Sequence, residues 1–297
     1  MSIATSPQAS VRHYARVLRH FASTRGVEVC VLQASPLLGA YLGGLGLQAD
    51  SLSRLGLLLL GSTALTAHVF VFNDWAGYSS DARDLRRMSL GADGYAISRD
   101  QIARVAVALL ILANVAFAAV GTSAMLFGAG IAVLSLLYSL APRLGKSTPI
   151  AASLNHLVGG GLHFLLGYTL LSAVDARGVA LSVFFGLVFA AGHLNQEVRD
   201  HEFDLANGIA TSAVAFGCRR GFLASFCLFS AAYLLIIALA ALGVLPKLML
   251  LSAIAWLLQA RWSLQALRRG LGFETALWMQ RRYRLLFALV GLAMLVR

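Results

Sequence analysis

An almost unbroken apolar run, Leu55–Phe72, passes directly into Asn73-Asp74-Trp75, and carboxylates cluster where the run ends. Apolar runs of roughly 18–20 residues, the length that crosses a bilayer core of about 30 Å, recur along the chain. Inside lipid every backbone polar group must be paired within its own segment or barrel, so such runs are helices or barrel strands. Barrel strands alternate apolar and polar side chains; these runs do not, which predicts helices. With 59% hydrophobic and 12% charged residues, the expected fold is all-α, a polytopic membrane protein of about nine transmembrane helices around a central cavity. The net charge of +11 does not point to nucleic acid, because the basic residues sit beside helix ends and form no separate soluble domain. Cys30, Cys218 and Cys227 show no metal-ligand spacing and are expected to be small buried hydrophobes.

Residues 1–26 form a basic arm without a sustained apolar core, so no cleavable leader is expected. Val11, Tyr14, Leu18 and Phe21 recur at helical spacing with Arg12, Arg16 and Arg19 between them. That pattern suits a short helix lying in the headgroup region, and a loosely ordered tail fits it too. Residues 27–297 are expected to form the membrane domain, with spans near 27–47, 54–73, 101–120, 123–141, 151–173, 177–195, 219–243, 245–265 and 276–296. Arg281, Arg282 and Arg284 interrupt the start of the ninth. Placing the N-terminus in the cytoplasm puts twenty of the 24 Lys and Arg residues on that side, a strong positive-inside bias. The expected location is therefore a multi-pass membrane setting, taken as a bacterial inner membrane, with the acidic loops facing the cytoplasm.

Nine of the 13 Asp and Glu residues fall in two of those loops. Asp74, Asp81, Asp84, Asp93 and Asp100 follow the second span; Glu197, Asp200, Glu202 and Asp204 follow the sixth. Asp74 and Asp81 share a helix face if the helix continues, and Glu197, Asp200 and Asp204 lie along one helical stripe. Like charges this close repel unless a cation neutralises them. Hard oxygen ligands without a His or Cys cluster favour Mg2+, which fills its remaining positions with water and substrate phosphate. The plainer reading is of solvated loops whose Asp residues cap helices and pair with Arg83, Arg86, Arg87 and Arg199.

The two clusters also resemble the motifs of the UbiA superfamily of intramembrane prenyltransferases. Asn73, Asp74 and Asp81 match its first motif, Asn-Asp-x-x-Asp-x-x-x-Asp, and Asp200 and Asp204 match its second, Asp-x-x-x-Asp. Asn207-Gly208-Ile209-Ala210-Thr211 with Phe216-Gly217 is similar to the family's glycine-threonine segment, and Tyr138-Ser139, Pro142, Arg143 and Lys146 to its Tyr-Ser…Pro…Lys stretch. The middle Asp of the first motif is Gly77 here, which removes one carboxylate. The resemblance implies cleavage of an allylic polyprenyl diphosphate and transfer of the prenyl carbon to an acceptor. It implies Asn73, Asp74, Asp81, Asp200 and Asp204 as ligands to Mg2+, the four Asp being essential for catalysis. Tyr138, Arg143, Lys146, Arg86, Arg87 and Arg199 are then the candidate diphosphate contacts.

An allylic cation needs a dry chamber with π faces, and Phe70, Phe72, Trp75, Phe164, Tyr168, Phe184, Phe185 and Phe189 lie on spans placed to line it. His68, His193 and Asn195 are candidates to orient an acceptor or take its proton, with Arg25 and Glu28 at the mouth of the first span. The expected acceptor is small, hydrophobic and aromatic, as in quinone biosynthesis. A 4-hydroxybenzoate is disfavoured because no basic residue stands clearly within the chamber. A lipid, carotenoid or sugar-phosphate acceptor, or cyclisation of the terpene, fits the same family. From another class, a cation-coupled secondary transporter would also pair acidic groups, but its site would lie near the midplane rather than at helix ends.

Overall fold

The computed structural model describes residues 7–78, 97–141 and 143–296, the first twelve by backbone alone. Among the described residues there are eleven α-helices and no strand: α1 Pro7–Leu32, α2 Ala34–Leu42, α3 Ala49–Ala76, α4 Arg99–Val120, α5 Thr122–Leu140, α6 Ala151–Tyr168, α7 Ala176–Ala206, α8 Ser212–Phe216, α9 Cys218–Ala241, α10 Ser252–Arg269 and α11 Phe273–Ala293. A 3-10 turn, Lys247–Leu251, precedes α10. Each of the nine predicted spans is helical for most of its length. Five helices, α3, α4, α5, α7 and α9, are long and apolar enough to cross a bilayer. The others are shorter or carry arginine and histidine within the apolar run.

From the basic stretch into the first predicted span, Pro7–Leu32 is one continuous helix. The break comes at Gln33, because Pro36 has no N–H to give the Leu32 carbonyl. Gln33 closes the end with its own side chain, whose Nε2 donates to Val29 O and to Thr66 Oγ1 of α3, both at 3.0 Å. Cys30 and Cys227 lie on exposed helix faces rather than in the core, which corrects the expectation of burial. Both fall on outward faces that an apolar thiol suits as well as an interior does.

Helix α3 packs along α4, α6 along α7, α7 along α9, and the short α2 against α6. One core joins Phe164 and Tyr168 of α6, Phe184 and Phe185 of α7, and Tyr233 and Ile236 of α9. A second joins Leu58 and Leu65 of α3 to Phe117 of α4 and Leu166 of α6. Lipid tails are as apolar as leucine, so association relies on close backbone packing rather than on expelled water. Glycines supply it. A Cβ on Gly167 would strike the Pro36 carbonyl of α2, one on Gly39 the Phe164 carbonyl, and one on Gly186 the Leu157 carbonyl. Because those neighbours are backbone, they cannot rotate away. Gly167→Val is therefore expected to destabilise the protein by about 1–3 kcal/mol, seen as a lower unfolding temperature in detergent. Gly56→Ala, with open space around it, should leave that temperature unchanged or raised.

Candidate active site

Asn73 and Asp74 occupy the last turn of α3. The helix stops at Gly77, whose N–H donates to Asn73 O at 2.9 Å. Asp81, Arg83, Asp84, Arg86, Arg87 and Asp93 lie outside the described residues. Asp74 Oδ1 accepts from Arg25 Nη2 of α1 at 2.8 Å, and Arg25 in turn lies 5.6 Å over the Phe70 ring. The pair is half-buried, and such pairs contribute only about 0.2–1 kcal/mol. Its consequence is position. Phe21, buried with Val71 and Ile102, seats α1 so that Arg25 reaches the carboxylate. Beside Asp74 runs an aromatic column: Trp75 stacks on Phe72 at 5.3 Å, Phe72 on His68 at 5.5 Å, and Arg99 caps Trp75 at 4.6 Å. His68 Nδ1 is 2.8 Å from Ala106 O of α4, while its buried Nε2 has no partner.

The second motif lies on the final turns of α7, beyond the apolar stretch of that helix. Arg199 grips Asp200 with two hydrogen bonds, Nε to Oδ1 at 2.9 Å and Nη2 to Oδ2 at 2.7 Å, and donates a third to Gln280 Oε1 of α11 at 2.9 Å. Asp204 is buried. Gly208, at φ 66°, turns the chain out of the helix, and the Ile209 N–H closes back on Asp204 O at 2.8 Å. A glycine with positive φ just past the last turn is a common helix stop. This one delivers Ser212, whose Oγ accepts from the Ile150 N–H at 3.1 Å. Ile150 sits at φ 70°, an uncommon conformation for a β-branched residue, held where the Arg143–Pro149 loop meets the second motif. Within that loop Lys146 N–H donates to Tyr138 O at 2.8 Å. Arg143 is exposed.

Burial pushes the Asp204 carboxyl up to about 6; the Lys146 ammonium pulls it down, and the Asp200 and Glu197 charges push it further up. The Lys146 ammonium is thus near enough to the second motif to act on Asp204.

One turn earlier on α7, His193 Nε2 approaches Glu197 Oε1 at 3.0 Å, an ion-pair contact whose angles do not make a hydrogen bond. Glu197 Oε2 accepts from the Ala213 N–H at 3.3 Å. The His193 ring stacks flat on His156 of α6, centroids 3.8 Å apart, and Tyr138 meets both edge-on at 5.2 and 5.9 Å. Asn195 turns the other way, its Nδ2 donating to Ala276 O of α11 at 3.2 Å, where it ties two helices together. Helix α1 spans the gap between the motifs. One turn beyond Arg25, Glu28 pairs with Arg284 of α11 at 3.7 Å, and its field reaches Arg199. Of the chamber aromatics, Phe164, Tyr168, Phe184 and Phe185 are core packing. Sequence reasoning missed Gln280 and the pairing of His156 with His193. A glutamine beside three arginines inside an apolar segment was the available signal for the first.

Because the Asp204 carboxyl is raised from its ordinary value, the folded, metal-free protein binds a proton there that the unfolded chain has released between about pH 4 and 6. Its stability therefore falls as pH rises through that window. In a chelating buffer, Asp204→Asn is expected to raise the unfolding temperature at pH 7. The gain should shrink as pH falls below 6, and a gain that does not vary with pH would contradict this.

The chain matches the UbiA prenyltransferase family over residues 35–293. Its structure is similar to that of a UbiA homologue from Archaeoglobus fulgidus, with a TM-score of 0.70 and 20% identity over 96% of this chain and 100% of the homologue. It is also similar to a structure described for digeranylgeranylglyceryl phosphate synthase, with a TM-score of 0.69 and 18% identity over 94% and 97% of the two chains. A UbiA homologue from Aeropyrum pernix K1 gives a TM-score of 0.69 and 18% identity, with 90% and 96% covered. No curated protein sequence matches the chain. A match spanning both acidic motifs and nearly every helix, joined to the same all-helical membrane fold, makes this chain an integral membrane protein of the UbiA prenyltransferase family.

Proposed function

We propose that the protein transfers a prenyl group from an allylic polyprenyl diphosphate to a small hydrophobic acceptor, at a site where both acidic motifs open to the cytoplasm. The observation that carries this reading is Arg199 held on Asp200 by two hydrogen bonds, with the Lys146 ammonium near enough to act on Asp204 four residues on. Cations standing among carboxylates suit an anionic ligand that arrives with its own metal. The donors fit Mg2+ in kind, since Asn73, Asp74, Asp200 and Asp204 offer hard oxygens, but among the described residues no three His, Cys, Asp or Glu groups are gathered to hold a metal ion by themselves. An incomplete protein shell is what Mg2+ uses when phosphate and water complete its coordination. The A. fulgidus homologue was solved with GPP and Mg2+, and also with DMAPP and Mg2+. Asn73, Asp74, Asp200 and Asp204 would hold the ion, with Asp81 from the first motif. Bound there, Mg2+ supplies Lewis-acid stabilisation of the diphosphate oxygens as they gain charge.

The chain's own residues do the rest. Lys146, Arg143 and Arg199 donate to the departing diphosphate, whose charge grows in the transition state, with Arg86, Arg87 and the Tyr138 hydroxyl completing the donor set. The Phe72–Trp75 column presents π faces to the allylic carbon beside Asp74. The Glu197 carboxylate lies against the Nε2 side of His193, and Nδ1 takes the proton that an acceptor loses. His68, with its unpartnered Nε2, orients the acceptor. The preferred acceptor is aromatic, as in quinone biosynthesis. The likeness to the digeranylgeranylglyceryl phosphate synthase structure favours, as a second reading, a glycerol-phosphate lipid.

Two measurements test this. Purified protein given geranyl, farnesyl or longer diphosphates with aromatic and glycerol-phosphate acceptors should release diphosphate only with Mg2+. Asp81→Ala and Asp200→Ala should each lower that release by about 100-fold or more, and full activity in both variants would refute the assignment. In His193→Ala the expected outcome is continued diphosphate release to water with adduct formation reduced about 100-fold. Equal losses of release and adduct would remove His193 from the proton step.

A further inference from the structure

Helix α11 has two polar faces. Gln280 and Arg284 turn towards the carboxylate cluster, bonded to Arg199 and paired with Glu28. Trp278, Arg281 and Arg282 point the other way and, with Arg269 at the end of α10, line a cavity of about 320 Å3. Nothing in the chemistry derived above uses this second face.

The cavity is built from cations. The Arg282 guanidinium lies 3.7 Å from the Trp278 ring centroid and 5.4 Å from that of Trp262, and the Arg269 guanidinium lies 4.9 Å from Trp278. One indole therefore carries two guanidinium groups, with Arg281 as a third cation. Glu274 is the one carboxylate on the wall. Among the described residues none of these three arginines forms an ion pair. Arg282 Nη1 has a 3.4 Å contact to Trp278 O, while its Nε is shut off from solvent and donates to nothing. Stacking fixes the guanidinium planes and, apart from the Arg282 Nη1–H given to Trp278 O and its enclosed Nε–H, leaves their N–H groups to read phosphate oxygens. Repulsion among the cations is relieved by an anion.

The surroundings indicate where the anion comes from. Leu285, Leu289 and Leu292 continue the Trp278–Arg282 face of α11 by helical spacing and stand 57%, 54% and 61% exposed. A leucine stripe of that kind belongs against acyl chains, which puts the arginine cavity at the headgroup level directly above it. Its volume admits a headgroup, not a chain.

The geometry points to a phosphate-binding site between α10 and α11 that takes the headgroup of an anionic membrane lipid, its chains lying along Leu285, Leu289 and Leu292. Because Trp278 forms the wall, its emission reports occupancy. In detergent, dihexanoyl-phosphatidylglycerol is expected to change tryptophan emission saturably. Dihexanoyl-phosphatidylcholine, whose headgroup carries no net charge, should bind at least tenfold more weakly, and inorganic phosphate at least tenfold more weakly again. Arg269→Gln with Arg282→Gln should weaken phosphatidylglycerol binding at least tenfold, whereas Arg177→Gln on the start of α7 should not. If the double variant fails to fold, Thr275→Asp places a carboxylate on the same wall and should weaken binding by a similar factor. Unchanged binding in a folded variant, or no saturable response to phosphatidylglycerol, overturns the site. Phosphate binding as tightly as the lipid overturns the lipid assignment.

Discussion

Carboxylates gathered at the mouth of a membrane bundle repel one another, and the structure is arranged around their neutralisation. Arg25 takes Asp74, Arg199 takes Asp200, and Lys146 stands by Asp204. Each cation comes from a different part of the chain: the N-terminal helix, the motif's own helix, and the loop after α5. Neither arginine pair is strong on its own, since half-exposed ion pairs contribute little. Together the three set a cation against each of the described motif aspartates.

Holding those cations in place falls to the backbone. The Gly208 turn ends α7 where Asp204 must stop, and the strained Ile150 fastens the lysine loop to the chain just beyond it. Glycines let α2, α6 and α7 approach to backbone contact, which lipid alone would not drive. Helix α1 then lies across the assembly, with Arg25 towards the first motif and Glu28 towards the second. Helix α11 is shared in a similar way. One face completes the carboxylate cluster through Gln280, and the other presents the arginine and tryptophan cavity to the headgroup region. Chemistry and membrane contact thus sit back to back on a single helix.

Much of this was legible in the amino-acid order because membrane proteins obey local rules. Run length and the lack of alternation determined helices, since backbone groups in lipid have no other partners. The acidic spacing pointed to carboxylates sharing one helix stripe, because a four-residue repeat is local geometry. The same order carried the family resemblance, including the departure at Gly77.

Only the tertiary structure decided which polar groups meet. Arg25 and Asp74 are 49 residues apart, and Arg199 and Gln280 are 81 apart. No periodicity encodes such pairings, which depend on how far glycines let helices approach. Asn195 shows the difference: its place beside the motif pointed to an acceptor, yet its rotation on α7 turns it to the Ala276 carbonyl. His156, an ordinary intramembrane polar residue in sequence, lies flat against His193 because α6 and α7 pack at glycine distance. Sequence sets which groups stand at each helix end, and packing sets which of them touch, because contact across helices is a property of rotation and approach.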